Sequence, residues 1–114
     1  MDKILIVDDE MNMQLVLEAM LKKESYGVAT ASDGLEALQM LKSDTVSAVI
    51  TDLKMPRMDG MELLDRLSRE YPDLPVIIIT AHGTVATAVE ALKKGALDYI
   101  TKPFELDEIK NVVA

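Results

Sequence analysis

The sequence predicts an α/β fold in which strand and helix alternate five times. Three observations predict it. Short β-branched apolar runs recur along the 114 residues, segments with a helical apolar period lie between them, and turn and capping residues mark the joints. Such alternation calls for a parallel sheet with right-handed crossovers and helices on both faces. Ile4-Leu5-Ile6-Val7 and Val76-Ile77-Ile78-Ile79 are apolar throughout, as strands covered on both faces are. Ala48-Val49-Ile50 is a shorter run of the same kind. Val28-Ala29-Thr30-Ala31 and Leu97-Asp98-Tyr99-Ile100-Thr101 are mixed and suit sheet edges.

The helices follow in order. Met13, Val16, Leu17, Met20 and Leu21 form the first apolar stripe, and Ala37, Leu38 and Leu41 the second. Leu63, Leu64 and Leu67 form the third, Val85, Ala88, Val89 and Leu92 the fourth, and Leu106, Ile109 and Val113 begin a fifth. Asp33 and Asp59 each precede a Glu by three residues, a capping-box variant, and Thr84 can cap the fourth helix. Lys22-Lys23 and Lys93-Lys94 sit in last turns, where the helix dipole favours cations. Gly27 and Gly95 are the expected stops. With the first and fourth strands inside and the second and fifth at the edges, the expected order is 2-1-3-4-5. This is a flavodoxin-like, doubly wound, five-stranded parallel sheet with five helices.

One domain spanning residues 1–114 is expected, with no linker or low-complexity tract. The chain runs only about two turns into its fifth helix, so a longer parent protein is expected. A chain of this length buries roughly 65% of its unfolded surface, and the 49% hydrophobic content excludes disorder. The absence of cysteine excludes a disulfide scaffold, a cysteine zinc site and a thiol nucleophile. A formal charge of -8 opposes direct binding to nucleic acid or an anionic membrane. No apolar run reaches the roughly 20 residues that span a bilayer, and the N-terminus lacks a signal-peptide pattern. A cytoplasmic location is expected.

In open parallel sheets the site lies beyond the carboxyl ends of the strands. The first strand ends in Asp8-Asp9, followed by Glu10; the third ends in Asp52, the fourth in Thr80 and the fifth in Lys102. In the expected order these ends share one crevice. Taken singly, an Asp after a strand is usually a cap or turn residue, and a Lys before Pro is usually solvated. Together, Asp8, Asp9 and Asp52 carry three negative charges against the one positive charge of Lys102. A divalent cation would neutralise the remainder, and an all-oxygen donor set selects a hard ion, Mg²⁺ first. A carboxylate beside Mg²⁺, an ammonium and a hydroxyl can attack a phosphoryl group and form an aspartyl phosphate.

Over nearly its whole length the chain resembles the receiver domain of two-component response regulators. The resemblance rests on Ile4–Glu10, Thr51-Asp52-Leu53-Lys54-Met55-Pro56, Met58-Asp59-Gly60, Thr80-Ala81 and Lys102-Pro103-Phe104. It implies that Asp52 is the phosphoacceptor. It implies that Asp9, Asp52 and the main-chain carbonyl of Lys54 bind Mg²⁺, with Asp8 acting through a bound water. Lys102 would pair with the phosphoryl group, Thr80 would turn to bond it, Ala81 would leave access, and the Lys102-Pro103 bond would be cis. Tyr99 would be a switch aromatic that moves with Thr80; by itself it is an aromatic on an edge strand.

Phosphorylation would then act by population shift on the face formed by the fourth helix, fifth strand and fifth helix. His82 is read as a rim residue that tunes lifetime, not as a base. Met55, Met58 and Met61, around the loop after Asp52, offer only a weak hint of partner contact. Thr80-Ala81-His82-Gly83 and Lys94–Tyr99 look most like receivers of the nitrogen-regulation type. This implies a sensor histidine kinase as partner and an AAA+ ATPase with a helix-turn-helix as output, working with an alternative sigma factor, and allows a phosphorylation-dependent homodimer. The domain is expected to be a signalling module and not an enzyme. The competing readings are a haloacid dehalogenase-like phosphatase, which would want Asp-x-Asp after its first strand, and a flavodoxin, whose phosphate loop Asp8-Asp9-Glu10 would repel.

Overall fold

The computed structural model describes residues 2–104 and 106–113. Five strands, β1 (Lys3–Val7), β2 (Gly27–Ala31), β3 (Ala48–Thr51), β4 (Val76–Thr80) and β5 (Asp98–Thr101), alternate with five helices. These are α1 (Met11–Lys23), α2 (Gly34–Leu41), α3 (Gly60–Glu70), α4 (Val85–Lys93) and α5 (Leu106–Val113). All strand pairs are parallel and the order is β2-β1-β3-β4-β5, as the hydropathy of the strands predicts.

The period-two alternation of the strands divides the core in two. Leu5, Val7, Val49, Val76 and Ile78 face α2 and α3, where Leu38, Leu41, Leu63, Leu64 and Leu67 meet them. Ile4, Ile6, Ile50, Ile77, Ile79 and Ile100 face Leu17 and Leu21 of α1 and Ile109 of α5. Each such aliphatic side chain contributes roughly 1.5–3 kcal/mol on full burial. The Leu106 and Val113 side chains lie outside the described residues.

Capping follows the sequence closely. The Asp33 and Asp59 carboxylates accept from the backbone N–H groups of Glu36 and Glu62 at 2.9 Å each. Thr84 and Thr87 close a reciprocal box at the start of α4. Gly95, at φ +107°, ends that helix in the left-handed region.

Four expectations are corrected. Gly27 is the first residue of β2; the left-handed turn after α1 belongs to Ser25, at φ +72°. The fourth stripe points outward: Val85 is 83% exposed and Val89 and Leu92 are exposed, while Ala91 is buried. The helix approaches the sheet through small residues, one position round from the large ones. Val16 is likewise exposed, leaving Leu17 and Leu21 to anchor α1. Met58 is a core residue, not a surface one.

Candidate functional site

Three strands deliver the charged residues to one point because they are in register. Val7 pairs with Thr51, so Asp8 and Asp52 emerge side by side, the Asp52 N–H donating to the Val7 carbonyl at 2.9 Å. Thr80 pairs with Thr101, and the Lys102 N–H donates to the Thr80 carbonyl at 2.9 Å. By alternation, Asp8, Asp52 and Lys102 continue the rows of Ile6, Ile50 and Ile100 on the α1/α5 face. The Lys102-Pro103 bond is cis.

The Lys102 ammonium donates to Asp8 Oδ2 at 3.0 Å and to Asp52 Oδ2 at 3.2 Å, and lies 4.0 Å from Glu10 Oε1. Asp8 and Asp52 are almost fully buried. Asp8 Oδ1 accepts from the Glu10 N–H at 2.9 Å, and Asp52 Oδ1 from the Leu53 N–H at 2.7 Å. Gln14 of α1 donates to the main-chain carbonyl of Asp8 at 2.6 Å, tying the helix to the site. On the far side, the Thr51 hydroxyl donates to the Asp52 carbonyl at 2.9 Å. Gly60 lies against that carbonyl so closely that a Cβ would overlap it.

Burial pushes the Asp8 carboxyl above the usual aspartate range, outweighing the Glu10 N–H and the Lys102 ammonium. Burial pulls the Lys102 amine down, but its hydrogen bond to Asp8 and the charges of Asp52 and Asp8 raise it overall. The ammonium is therefore firmly charged and holds together acids that repel one another.

Asp8, Glu10 and Asp52 present carboxylate oxygens that all lie within 4.8 Å of one another. Oxygens on opposite sides of a Mg²⁺ lie about 4.2 Å apart, since each bond is about 2.1 Å. The all-oxygen set therefore fits a hard cation after a small adjustment or with water interposed. Glu10 belongs to this group although sequence reasoning gave it no role. The one available signal was its place directly after Asp8-Asp9. Asp9 is exposed and stands outside the group.

The remaining expected residues ring the site. The Thr80 side chain is buried and accepts from the His82 N–H at 3.0 Å. Ala81, His82 and Lys54 are exposed at the rim. Tyr99 is half-buried; its hydroxyl shares a hydrogen bond of 2.9 Å with Thr87 of α4, and its ring covers Gly83. The site can thus hold a cation, present a carboxylate and connect through the β4–α4 loop to α4.

Residues 4–114 match the family described as the response regulator receiver domain. The chain is 43% identical over 107 residues to the transcriptional regulatory protein ZraR of Klebsiella oxytoca, covering 94% of this chain and 24% of that protein. It is 45% identical over 108 residues to a putative response regulator, NtrX-like, of Rickettsia bellii, covering 93% and 23%. The chain thus spans about a quarter of the length of these curated relatives. Among solved structures, the NtrX receiver domain of Brucella abortus superposes with a TM-score of 0.91 at 37% identity, covering 96% of this chain and 93% of that one. A response regulator receiver domain protein of Clostridium thermocellum gives 0.92 at 33%, covering 99% and 91%. The phosphatase alternative has no support in these relatives. No helix among the described residues is long and apolar enough to cross a membrane.

Proposed function

Because the chain belongs to the response regulator receiver family, we propose that Asp52 accepts a phosphoryl group from a phosphohistidine of a sensor kinase, in a Mg²⁺-dependent reaction. The observation that carries this reading is the contact of the Lys102 ammonium with both Asp8 and Asp52 at the carboxyl end of the sheet. Asp52 Oδ2 attacks phosphorus; the P–N bond breaks, and its electron pair and a proton remain on the donor imidazole. Lys102 leaves the Asp52 carboxylate and follows the negative charge onto the phosphoryl oxygens. Asp8, Asp9, Asp52, the Lys54 carbonyl and, on the present geometry, Glu10 are the residues available to Mg²⁺. The bound ion supplies charge neutralisation on the transferring oxygens.

The Thr80 hydroxyl exchanges the His82 N–H for a phosphoryl oxygen. Tyr99, beside Gly83, and the start of α4 follow, which alters the α4–β5–α5 face. That face controls an output domain elsewhere on the parent protein; the nitrogen-regulation resemblance assigns an AAA+ ATPase and a helix-turn-helix in the cytoplasm. Intact mass after incubation with acetyl phosphate and Mg²⁺ tests the chemistry. One added phosphoryl group is expected, lost in EDTA and in Asp52→Asn. Undiminished labelling of Asp52→Asn would refute the assignment.

A further inference from the structure

The segment that leaves the site after Asp52 is bolted to a distant element. Arg57, midway between Asp52 and α3, sits at φ +65°, a conformation that a residue with a Cβ adopts only when held there. Its Nε and Nη2 both donate to Asp33 Oδ2, at 2.7 and 2.6 Å. Asp33 lies 24 residues away, at the start of α2, and its side chain is 5% exposed. The other oxygen of Asp33 caps α2 through the Glu36 N–H. That N–H and the guanidinium together hold the Asp33 carboxyl below its usual range, against the effect of burial.

The next residues repeat the tether. The Gly34 N–H donates to the Met58 carbonyl at 3.0 Å, and the buried Met58 side chain fills the space where a Gly34 Cβ would stand, with Met58 Cγ 2.7 Å from that position. None of the contacts described for Asp33 or Arg57 is with Asp8, Glu10, Asp52 or Lys102. What the pair controls is the path of residues 54–58, which include the Lys54 carbonyl.

We propose that the Asp33–Arg57 ion pair is a positioning device for the cation site, holding the loop after Asp52 in the shape that Mg²⁺ meets. The inference rests on the Mg²⁺ reading above. Without the pair, the left-handed turn at Arg57 relaxes into other conformations, and the cation must order the loop as it binds. Fixing the backbone of even one residue carries an entropy that weakens binding about fivefold.

The test is Mg²⁺ titration calorimetry on Asp33→Asn, Arg57→Ala and the double variant, with thermal unfolding in EDTA in parallel. Asn caps a helix as well as Asp does, so Asp33→Asn keeps the start of α2 and removes only the charge. Each single variant is expected to bind Mg²⁺ about fivefold more weakly, equivalent to about 1 kcal/mol. The double variant should be no weaker than the singles, because all three lose one contact. Half-maximal acetyl phosphate labelling should need correspondingly more Mg²⁺, with an unchanged rate at saturation. Arg57→Lys should recover part of the affinity, and it replaces Arg57→Ala should that variant not fold.

A purely structural pair would lower the unfolding temperature and leave Mg²⁺ affinity as it is in the unaltered chain, which would overturn the proposal. Additive losses in the double variant would overturn it too. Failure of the unaltered chain to bind Mg²⁺ would instead overturn the reading of the site itself, and the clamp with it.

Discussion

Replacing Asp8 by Asn should make the metal-free protein more stable at neutral pH. Asp8, Glu10 and Asp52 hold oxygens within 4.8 Å of one another around a single ammonium. At an effective permittivity of about 20, each pair of acids repels by about 3.5 kcal/mol at that separation, and Asp8 attracts Lys102 at 3.0 Å by about 5.5 kcal/mol. Removing the Asp8 charge forfeits that one attraction and relieves two repulsions, for a net gain of about 1–2 kcal/mol. Relief of the burial that raises the Asp8 carboxyl adds to it. Asn keeps an acceptor for the Glu10 N–H.

The expected result in EDTA at pH 7 is a rise of about 5 °C in unfolding temperature. The pH dependence has a definite sign. A carboxyl raised in the folded state weakens folding wherever it is ionised. The advantage of Asn is therefore full above the folded pKa, shrinks as pH falls through it, and vanishes below the unfolded value of about 3.9. Saturating Mg²⁺ narrows the gap, because the unaltered site binds the ion more tightly and gains stability by mass action. Thermal unfolding followed by circular dichroism, with and without Mg²⁺, measures all three. An Asp8→Asn protein less stable than the unaltered one in EDTA at pH 7 would refute the reasoning: Asp8 would then serve chiefly as the anchor of Lys102.

Gly60→Ala should lower stability by roughly 2–3 kcal/mol, because its Cβ would overlap the main-chain carbonyl of Asp52, which cannot swing aside; urea unfolding measures it, and acetyl phosphate labelling should slow as Asp52 is displaced. Ser25→Gly should stabilise by about 0.5–1 kcal/mol, since Ser25 holds φ +72° at the end of α1, where glycine carries no Cβ penalty; a lower midpoint in urea would count against it. Lys54→Ala and His82→Ala, singly and together, should speed loss of the phosphoryl group without preventing its attachment, as both are exposed at the rim where water enters; each tenfold change corresponds to about 1.4 kcal/mol of barrier, and unchanged decay in the double variant would remove them from that role.

The sequence by itself determined whatever depends on neighbours along the chain. The strand-helix alternation, the sheet order implied by the two most apolar strands, the caps at Asp33, Asp59 and Thr84, and the stop at Gly95 are all local signals. So are the strand-end positions of Asp8, Asp52, Thr80 and Lys102, which parallel register then brings together. Tertiary structure decided the rest. Helical period shows that α4 has an apolar side, but burial depends on what faces it, and the sheet takes the small residues around Ala91 while Val85, Val89 and Leu92 face solvent. Gly27 reads as a helix stop until strand pairing with Lys3 claims it for β2, leaving Ser25 to make the turn. Glu10 joins the acidic cluster, and Asp33 meets Arg57, only because loops from different crossovers converge at one end of the sheet. Contacts between side chains 24 residues apart leave no period and no spacing in the sequence, because their distance is set by the packing of the elements between them.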